Sequence, residues 1–216
     1  MARKKNLAQR VTIIKAAYHL FLEEGYDKVT TKQVAEACGI AHSLLHYYYP
    51  TKSDLLLDIV NTMIAKLHSY LSQQEVNMGD KLYVYGLFNR LFFEVLTVNR
   101  KLFGIYQSAL TDGHTLRRWT KYAVEKFGLQ VPDSPEKAKL APYMLSGAMG
   151  QILLLYIDFE IELELRETVN LALESFYATQ GLTKAWIHAT IGLVDRRMTQ
   201  PFIRDFLNEF ADMMGA

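Results

Sequence analysis

One cysteine, Cys38, stands in a chain of 216 residues, so no disulfide can form within it, and a reducing compartment is the expected setting. Prolines number five, and no Pro- or Gly-rich linker, low-complexity tract or internal repeat divides the chain. Its length suits one large domain or two small ones. The longest membrane-like run, Ile152 to Ile157, falls far short of the roughly 20 apolar residues of a spanning helix. The first residues carry no apolar signal-peptide core. A soluble, cytoplasmic protein with no membrane partner is expected. Catalytic signatures are missing as well. There is no phosphate-cradling glycine loop, no Cys/His zinc spacing, no nucleophile elbow and no pair of Glu-x-x-His motifs for a di-iron bundle. Neither an enzyme nor a cofactor is expected.

Charge of either sign is also scarce in sum, at +1, but it is unevenly placed. Residues 1–56 carry eight Lys/Arg against five Asp/Glu, and residues 57–216 carry sixteen against eighteen. Arg3, Lys4, Lys5 and Arg10 crowd the first ten residues with no acid among them. A basic front and a mildly acidic remainder point to an anionic partner at the N-terminal end.

Half of the residues are hydrophobic, and their spacing is helical. Val11, Ile14, Ala17 and Phe21 form a stripe over Leu7 to Glu24, widened by Ile13 and Leu20, and Gly25 ends that helix. The stretch Thr30 to Lys52 then reads as two short helices and a turn. Thr30 opens a capping box with Gln33, and Val34, Ala35 and Ala37 supply a small apolar face. Gly39 stands where a left-handed residue should stop the helix, and Ile40 returns to the core. A second helix spans about Ala41 to Tyr49, Pro50 closes it, and Thr51 caps a long helix starting near Lys52. Leu55, Ile59, Met63 and Leu67, flanked by Leu56, Val60 and Ile64, give that long helix a stripe wide enough for two neighbours. Helix, glycine-containing turn, helix is the outline of a helix-turn-helix.

On the exposed side of the second short helix, His42, Ser43 and His46 can hydrogen-bond base edges, and Leu44 can meet a thymine methyl. Thr30, Thr31 and Lys52 lie at helix N-termini, where an anion is favoured, and Tyr47 and Tyr48 can offer hydroxyls to phosphates. Lys32 is either a phosphate contact or simply solvated. Tyr49 is expected inside. His42 and His46 have an i, i+4 spacing that can hold a metal, but no third ligand is evident nearby, so no metal is expected.

Residues 10–56 resemble the DNA-binding region of the TetR family of bacterial transcription regulators. The matching residues are Ile13-Ile14 with Ala16-Ala17, Leu20-Phe21, Gly25-Tyr26, Thr30-Thr31, Val34-Ala35, Ala37, Gly39-Ile40, Leu45, Tyr48-Tyr49 and Lys52 to Leu56. Two departures stand in the second short helix. His46 replaces a usual tyrosine, and Ser43-Leu44 replaces a usual glycine-threonine pair. The resemblance implies an all-α chain with a three-helix DNA-binding unit, residues 1–52, followed by a helical effector-binding and dimerisation domain, residues 53–216. It implies DNA contacts at Thr31, Lys32, His42 to Leu44, His46, Tyr47, Tyr48 and Lys52. It also implies a homodimer on a palindromic double-stranded operator, repression, and release by a small effector.

The second half is aromatic and helical. Asp80 to Val98 carries aromatics on more than one face. Phe88, Phe92, Phe103, Tyr106, Trp119, Tyr122, Tyr143 and Tyr156 are candidate walls of an apolar effector pocket, with an ordinary helical core as the plain alternative. Glu94, Asp158 and Glu160 would pair a cationic effector if buried. Pro142 is expected to kink or restart the helix that begins at Pro135 with Ser134 as its cap. Asp158 to Leu165 alternates as a strand would, but a lone strand has no partner, so it reads as an acidic helix end. Small residues Ser146, Gly147, Ala148 and Gly150, and the C-terminal residues Trp186, Ile187, Ile191 and Phe202, are candidates for a dimer face. The alternative function is a helical protein-interaction adaptor without ligand control.

Overall fold

The computed structural model describes residues 6–129, 136–157 and 164–215, with only the backbone given for Lys137, Ala138, Tyr156 and Ile157. The basic residues Arg3 to Lys5, the caps Ser134 and Pro135, Pro132, the Tyr156 side chain, and Asp158 and Glu160 lie outside it. The chain is all-α, and among the described residues there is no strand. No described helix is long and apolar enough to cross a membrane.

Eleven helices follow one another among the described residues: α1 Leu7–Glu24, α2 Thr31–Ala37, α3 His42–Tyr48, α4 Lys52–Gln73, α5 Lys81–Val98, α6 Arg100–Thr111, α7 Gly113–Lys126, α8 Glu136–Ile157, α9 Leu165–Thr179, α10 Lys184–Arg197 and α11 Gln200–Met214. The boundaries follow the caps. Thr30 and Thr51 each close a full capping box, with Gln33 and Asp54, and Asp80, Asn99, Asp112, Thr183 and Thr199 each accept a first-turn N–H. Gly39 takes a φ of 63°, and the Ile40 N–H then reaches the Ala35 carbonyl at 3.0 Å. That bond folds Ile40 back over α2 and sets the turn before α3.

α4 is the spine. Leu55, Leu56, Ile59, Val60, Met63, Ile64 and Leu67 are all fully buried, facing α1 on one side and the later helices on the other. α5 runs through the middle of the second half and buries twelve of its residues on all sides. α11 returns to the N-terminal unit. Phe202, Phe206 and Phe210 line its inner face, Phe202 and Phe206 pack on Tyr70, and Phe210 meets the edge of Tyr18 on α1.

Two expectations fail for reasons of packing. Val11 is exposed, because the buried face of α1 runs through Ile13, Ile14, Ala17, Tyr18 and Phe21, which turns Val11 outward. Ala37 is exposed, since α2 ends there and buries Val34 and Ala35 instead. Pro142 does not restart α8, which continues through it.

Gly86, inside α5, is required by its neighbours. A Cβ there would overlap the hydroxyl of Tyr177 and stand 3.3 Å from the Val194 side chain. Tyr177 cannot swing away. It is fully buried, donates to the Leu82 carbonyl at 3.0 Å and packs against Trp186. Gly86→Ala should therefore cost about 1–3 kcal/mol of overpacking, less about 1 kcal/mol returned by helix propensity. A lowered urea midpoint with an unchanged slope is the expected result. A raised midpoint would show that the Tyr177 ring yields.

Candidate nucleic-acid interface

The α2–α3 pair presents one exposed face. Leu45 and Tyr48 anchor α3 from below, which turns His42, Ser43, His46 and Tyr47 to solvent. The Thr31 hydroxyl and His42 Nε2 lie 3.0 Å apart and tie the start of α2 to the start of α3. The His42 and His46 rings meet edge to face at 4.4 Å. His46 Nδ1 is 3.2 Å from the Pro50 carbonyl oxygen. A carbonyl only accepts, so Nδ1 carries a proton, and of the two neutral tautomers this contact selects the one with Nε2 as acceptor. Among the described residues no group of three or more His, Cys, Asp or Glu is placed to hold a metal.

The other residues expected at this face divide by what already occupies them. The Thr30 hydroxyl is committed to its capping box with Gln33. Lys32 is largely exposed and lies 3.8 Å from Glu36. Leu44 is half-buried against the core, which leaves only part of its side chain for a thymine methyl. Tyr48 is buried and its hydroxyl accepts the Asn6 N–H at 3.0 Å, so it pins the first residue before α1. Tyr49 is inside, as expected. Lys52 lies 4.2 Å over the Tyr26 ring and donates to the Asp27 carbonyl at 3.3 Å, and burial pulls its pKa down while Asp27 opposes that.

One ion pair binds this unit to the rest, and a second holds the head of α4 to α7. Arg10 on α1 grips Asp58 on α4 through Nε at 2.8 Å and Nη2 at 2.5 Å, and Tyr49 donates to the same carboxylate at 2.5 Å. Hydrogen bonding to Asp58 raises the Arg10 pKa, and burial with the same carboxylate raises that of Tyr49. Arg118 on α7 donates to Asp54 at 2.8 Å, in the first turn of α4 and two residues from Lys52. Burial pushes the Asp54 carboxyl up, but hydrogen bonds from Arg118 and Thr51 outweigh it and hold the pKa below the usual value. Neither pair was visible in the sequence, since partners 48 and 64 residues apart leave no local pattern.

The aromatic set does not form an open chamber. Phe88, Phe92 and Trp119 converge with Tyr85, Asn89 and Met149 around a residual cavity of about 20 Å³. Phe92 contacts both Tyr106 and Trp119, at ring centroid distances of 5.0 and 5.4 Å. Phe103 and Tyr106 are buried but do not line that cavity, and the Tyr106 hydroxyl donates to Met63 sulfur. Tyr122 belongs elsewhere, in a groove of about 620 Å³ between α1 and α4. Tyr143 is 37% exposed on α8. Glu94 pairs with Arg90 at 2.8 Å and is not free for a cationic ligand.

The dimer candidates also divide. Ile187, Ile191 and Phe202 are buried within the chain, and half-buried Trp186 packs on Tyr177, because α10 lies on α5 and α9. Gly150 is buried against Leu110. What α8 exposes instead is a stripe of Leu140, Met144, Ala148 and Leu155, with Leu171 exposed on neighbouring α9.

Residues 13–59 match the model of bacterial regulatory proteins, tetR family. Curated relatives match over the same end. The tetracycline repressor protein class A from transposon 1721 of Escherichia coli is 34% identical over 59 residues, and the HTH-type regulator YuxN of Bacillus subtilis is 35% identical over 49. These matches cover 27% and 23% of this chain, and 27% and 17% of the relatives' own length. Solved structures extend the likeness in fold. A TetR transcriptional regulator from Rhodococcus sp. RHA1 aligns over 80% of this chain and 95% of its own, with a TM-score of 0.61 at 15% identity. RolR in complex with resorcinol aligns over 85% and 93%, with a TM-score of 0.57 at 16% identity. SmeT, the repressor of the Stenotrophomonas maltophilia multidrug efflux pump SmeDEF, aligns over 78% and 88%, with a TM-score of 0.52 at 18% identity.

Proposed function

This chain belongs, through its N-terminal unit, to the tetR family of bacterial regulatory proteins, and from that premise we propose that it is a sequence-specific transcriptional repressor that binds a palindromic operator as a homodimer and is released by a small effector. The observation that carries the reading is the exposed face of α3, where His42, Ser43, His46 and Tyr47 stand together above a buried Leu45. A helix so presented fits the major groove. Thr31, Lys32 and Lys52 flank it and suit phosphates, while Thr30, Leu44 and Tyr48 act mainly by holding the unit in shape. The unit of residues 1–52 reads the DNA, and residues 53–216 carry the dimer and effector functions.

The dimer face in this reading is the apolar stripe of α8 with Leu171 of α9, which two copies would bury as a four-helix layer. Repression follows from a dimer lying across a promoter. The effector is small and apolar in this reading. RolR was solved with resorcinol, and a compact aromatic ligand would likewise suit the Phe88, Phe92 and Trp119 cluster. Those rings must part to admit it, since about 20 Å³ is below the volume of any such molecule. Trp119 is next to Arg118, so opening the cluster would disturb α7 and its grip on Asp54 at the head of α4. A coupling of about 1–3 kcal/mol suffices to change DNA affinity 5–150-fold.

Selection from random duplex DNA at a stated salt concentration tests the reading. A palindromic consensus is expected. With Nε2 of His46 an acceptor, each half-site should carry adenine or cytosine opposite it, whose amino groups donate. His46→Ala should relax that one position by about 1–3 kcal/mol, whereas Lys52→Ala should weaken all sequences alike. No enrichment at low salt would defeat the DNA reading and favour a protein-interaction adaptor.

A further inference from the structure

A spacious groove lies not among the aromatics but at the joint between the N-terminal unit and the body. α1 supplies one wall with Leu7, Val11 and Lys15, and α4 the other with Asp58, Asn61 and Lys66. The last turn of α11 closes one end with Met213 and Met214, and Tyr122 leans in from α7. The groove holds about 620 Å³, within the range of small-molecule sites. Its apolar surface is unusual for a solvated helix. Leu7 is 72% and Val11 48% exposed, one turn apart on the same face.

The charges around it are not balanced. Arg10 is consumed by Asp58 at 2.5 Å, and Lys66 by Glu209 at 2.5 Å. Lys15 pairs with no acid among the described residues. The nearby end of α11 offers it only the partial negative charge of a helix C-terminus. An apolar floor and one uncompensated cation at its end are complementary to a single chemistry.

We propose that this groove binds an amphipathic organic anion, its apolar body on Leu7, Val11 and Met213 and its carboxylate or sulfonate at Lys15. One wall is the first helix of the DNA-reading unit and the others belong to the body. An occupant therefore bridges the two and biases the angle of the reading head. That consequence rests on the DNA-binding reading, but the binding itself does not.

The probe is 8-anilinonaphthalene-1-sulfonate, titrated into the full chain without DNA and followed by its fluorescence. Saturable binding at one site per chain is expected, with displacement by decanoate but not by decylammonium. Val11→Asp with Lys15→Glu should weaken the probe at least about tenfold, as expected for losing both apolar contact and charge. Lys15→Gln alone should weaken it less and make decanoate no better a competitor than decylammonium. Both positions are at least partly exposed, and matched thermal unfolding curves will verify the fold. Met149→Ala, which enlarges the aromatic cluster, should leave binding unchanged. Wild-type affinity in the double variant, equal competition by decylammonium against the wild type, or tighter binding in Met149→Ala would overturn the proposal. Loss of operator binding with intact probe binding would defeat only the DNA reading.

Discussion

Met144→Glu should make the protein monomeric and weaken its binding to a two-half-site operator by more than about a hundredfold, which is about 3 kcal/mol. Met144 is 60% exposed and lies midway along the α8 stripe. The chain alone gives it nothing to bury against. Helix α8 has 22 residues and is about 33 Å long. Together with α9, on which it packs, it presents the apolar side chains that a second copy would cover. In a symmetric dimer, residues near the two-fold axis face their own copies. A carboxylate there would be buried near its own equivalent, with neither charge paired, a cost of several kcal/mol. The isolated chain should not suffer, because the position is open to solvent before association. Sedimentation and operator titration give the two readouts. A variant that remains dimeric at micromolar concentration would place the dimer face elsewhere, with Leu193 on α10, 46% exposed, as the next place to test.

What the sequence revealed and what it hid follow one division. Local signals were legible. Thr30 with Gln33 and Thr51 with Asp54 close the boxes their spacing announces, and Gly39 turns the chain between α2 and α3. The α4 stripe and the repeated phenylalanines of α11 are buried as their periods require. Legibility stopped where an outcome depends on which neighbour a face meets. Ile187 and Ile191 read as a dimer face, and the placement of α10 against α5 and α9 makes them core. Tyr122 and Trp119 sit three residues apart on α7, yet one faces the groove and the other the aromatic cluster. Tyr48 reads as a hydroxyl for a phosphate; the fold also makes that hydroxyl the acceptor for the Asn6 N–H, 42 residues earlier, which no local pattern announces. An aromatic-rich sequence also cannot distinguish a chamber from a filled core, because the same residues line one and pack the other. Here they pack it.

Removing the Glu94 carboxylate should be among the most damaging single changes in the second half, costing about 3–5 kcal/mol for Glu94→Ala. Its partner Arg90 is only 3% exposed, and Nη2 meets Glu94 at 2.8 Å. Arg90 Nε and Nη1 are buried with no hydrogen-bond partner among the described residues. Burial lowers the Arg90 pKa, opposed by Glu94 and then Asp195, but a guanidinium cannot shed its proton at any accessible pH. Without Glu94, the charge has no such escape. Asp195 also acts on that charge, but it makes no ion pair with Arg90: one of its oxygens accepts from Asn170 at 3.1 Å, and the other is buried and unpartnered, so only a rearrangement would bring it to the guanidinium. The ion pair is not thereby a source of stability. Two ions have been taken out of water, and three of the arginine's five N–H donors have no partner among the described residues. The double change Arg90→Met with Glu94→Gln removes both charges at nearly constant volume, so it should fall within about 1 kcal/mol of the wild type or exceed it. Urea unfolding of Arg90→Met, Glu94→Gln and the double variant completes a cycle that isolates the pair. If Glu94→Ala lost less than about 1 kcal/mol, Arg90 would have to be turning to Asp195, and the triple contact of α5, α9 and α10 would be softer than its burial implies.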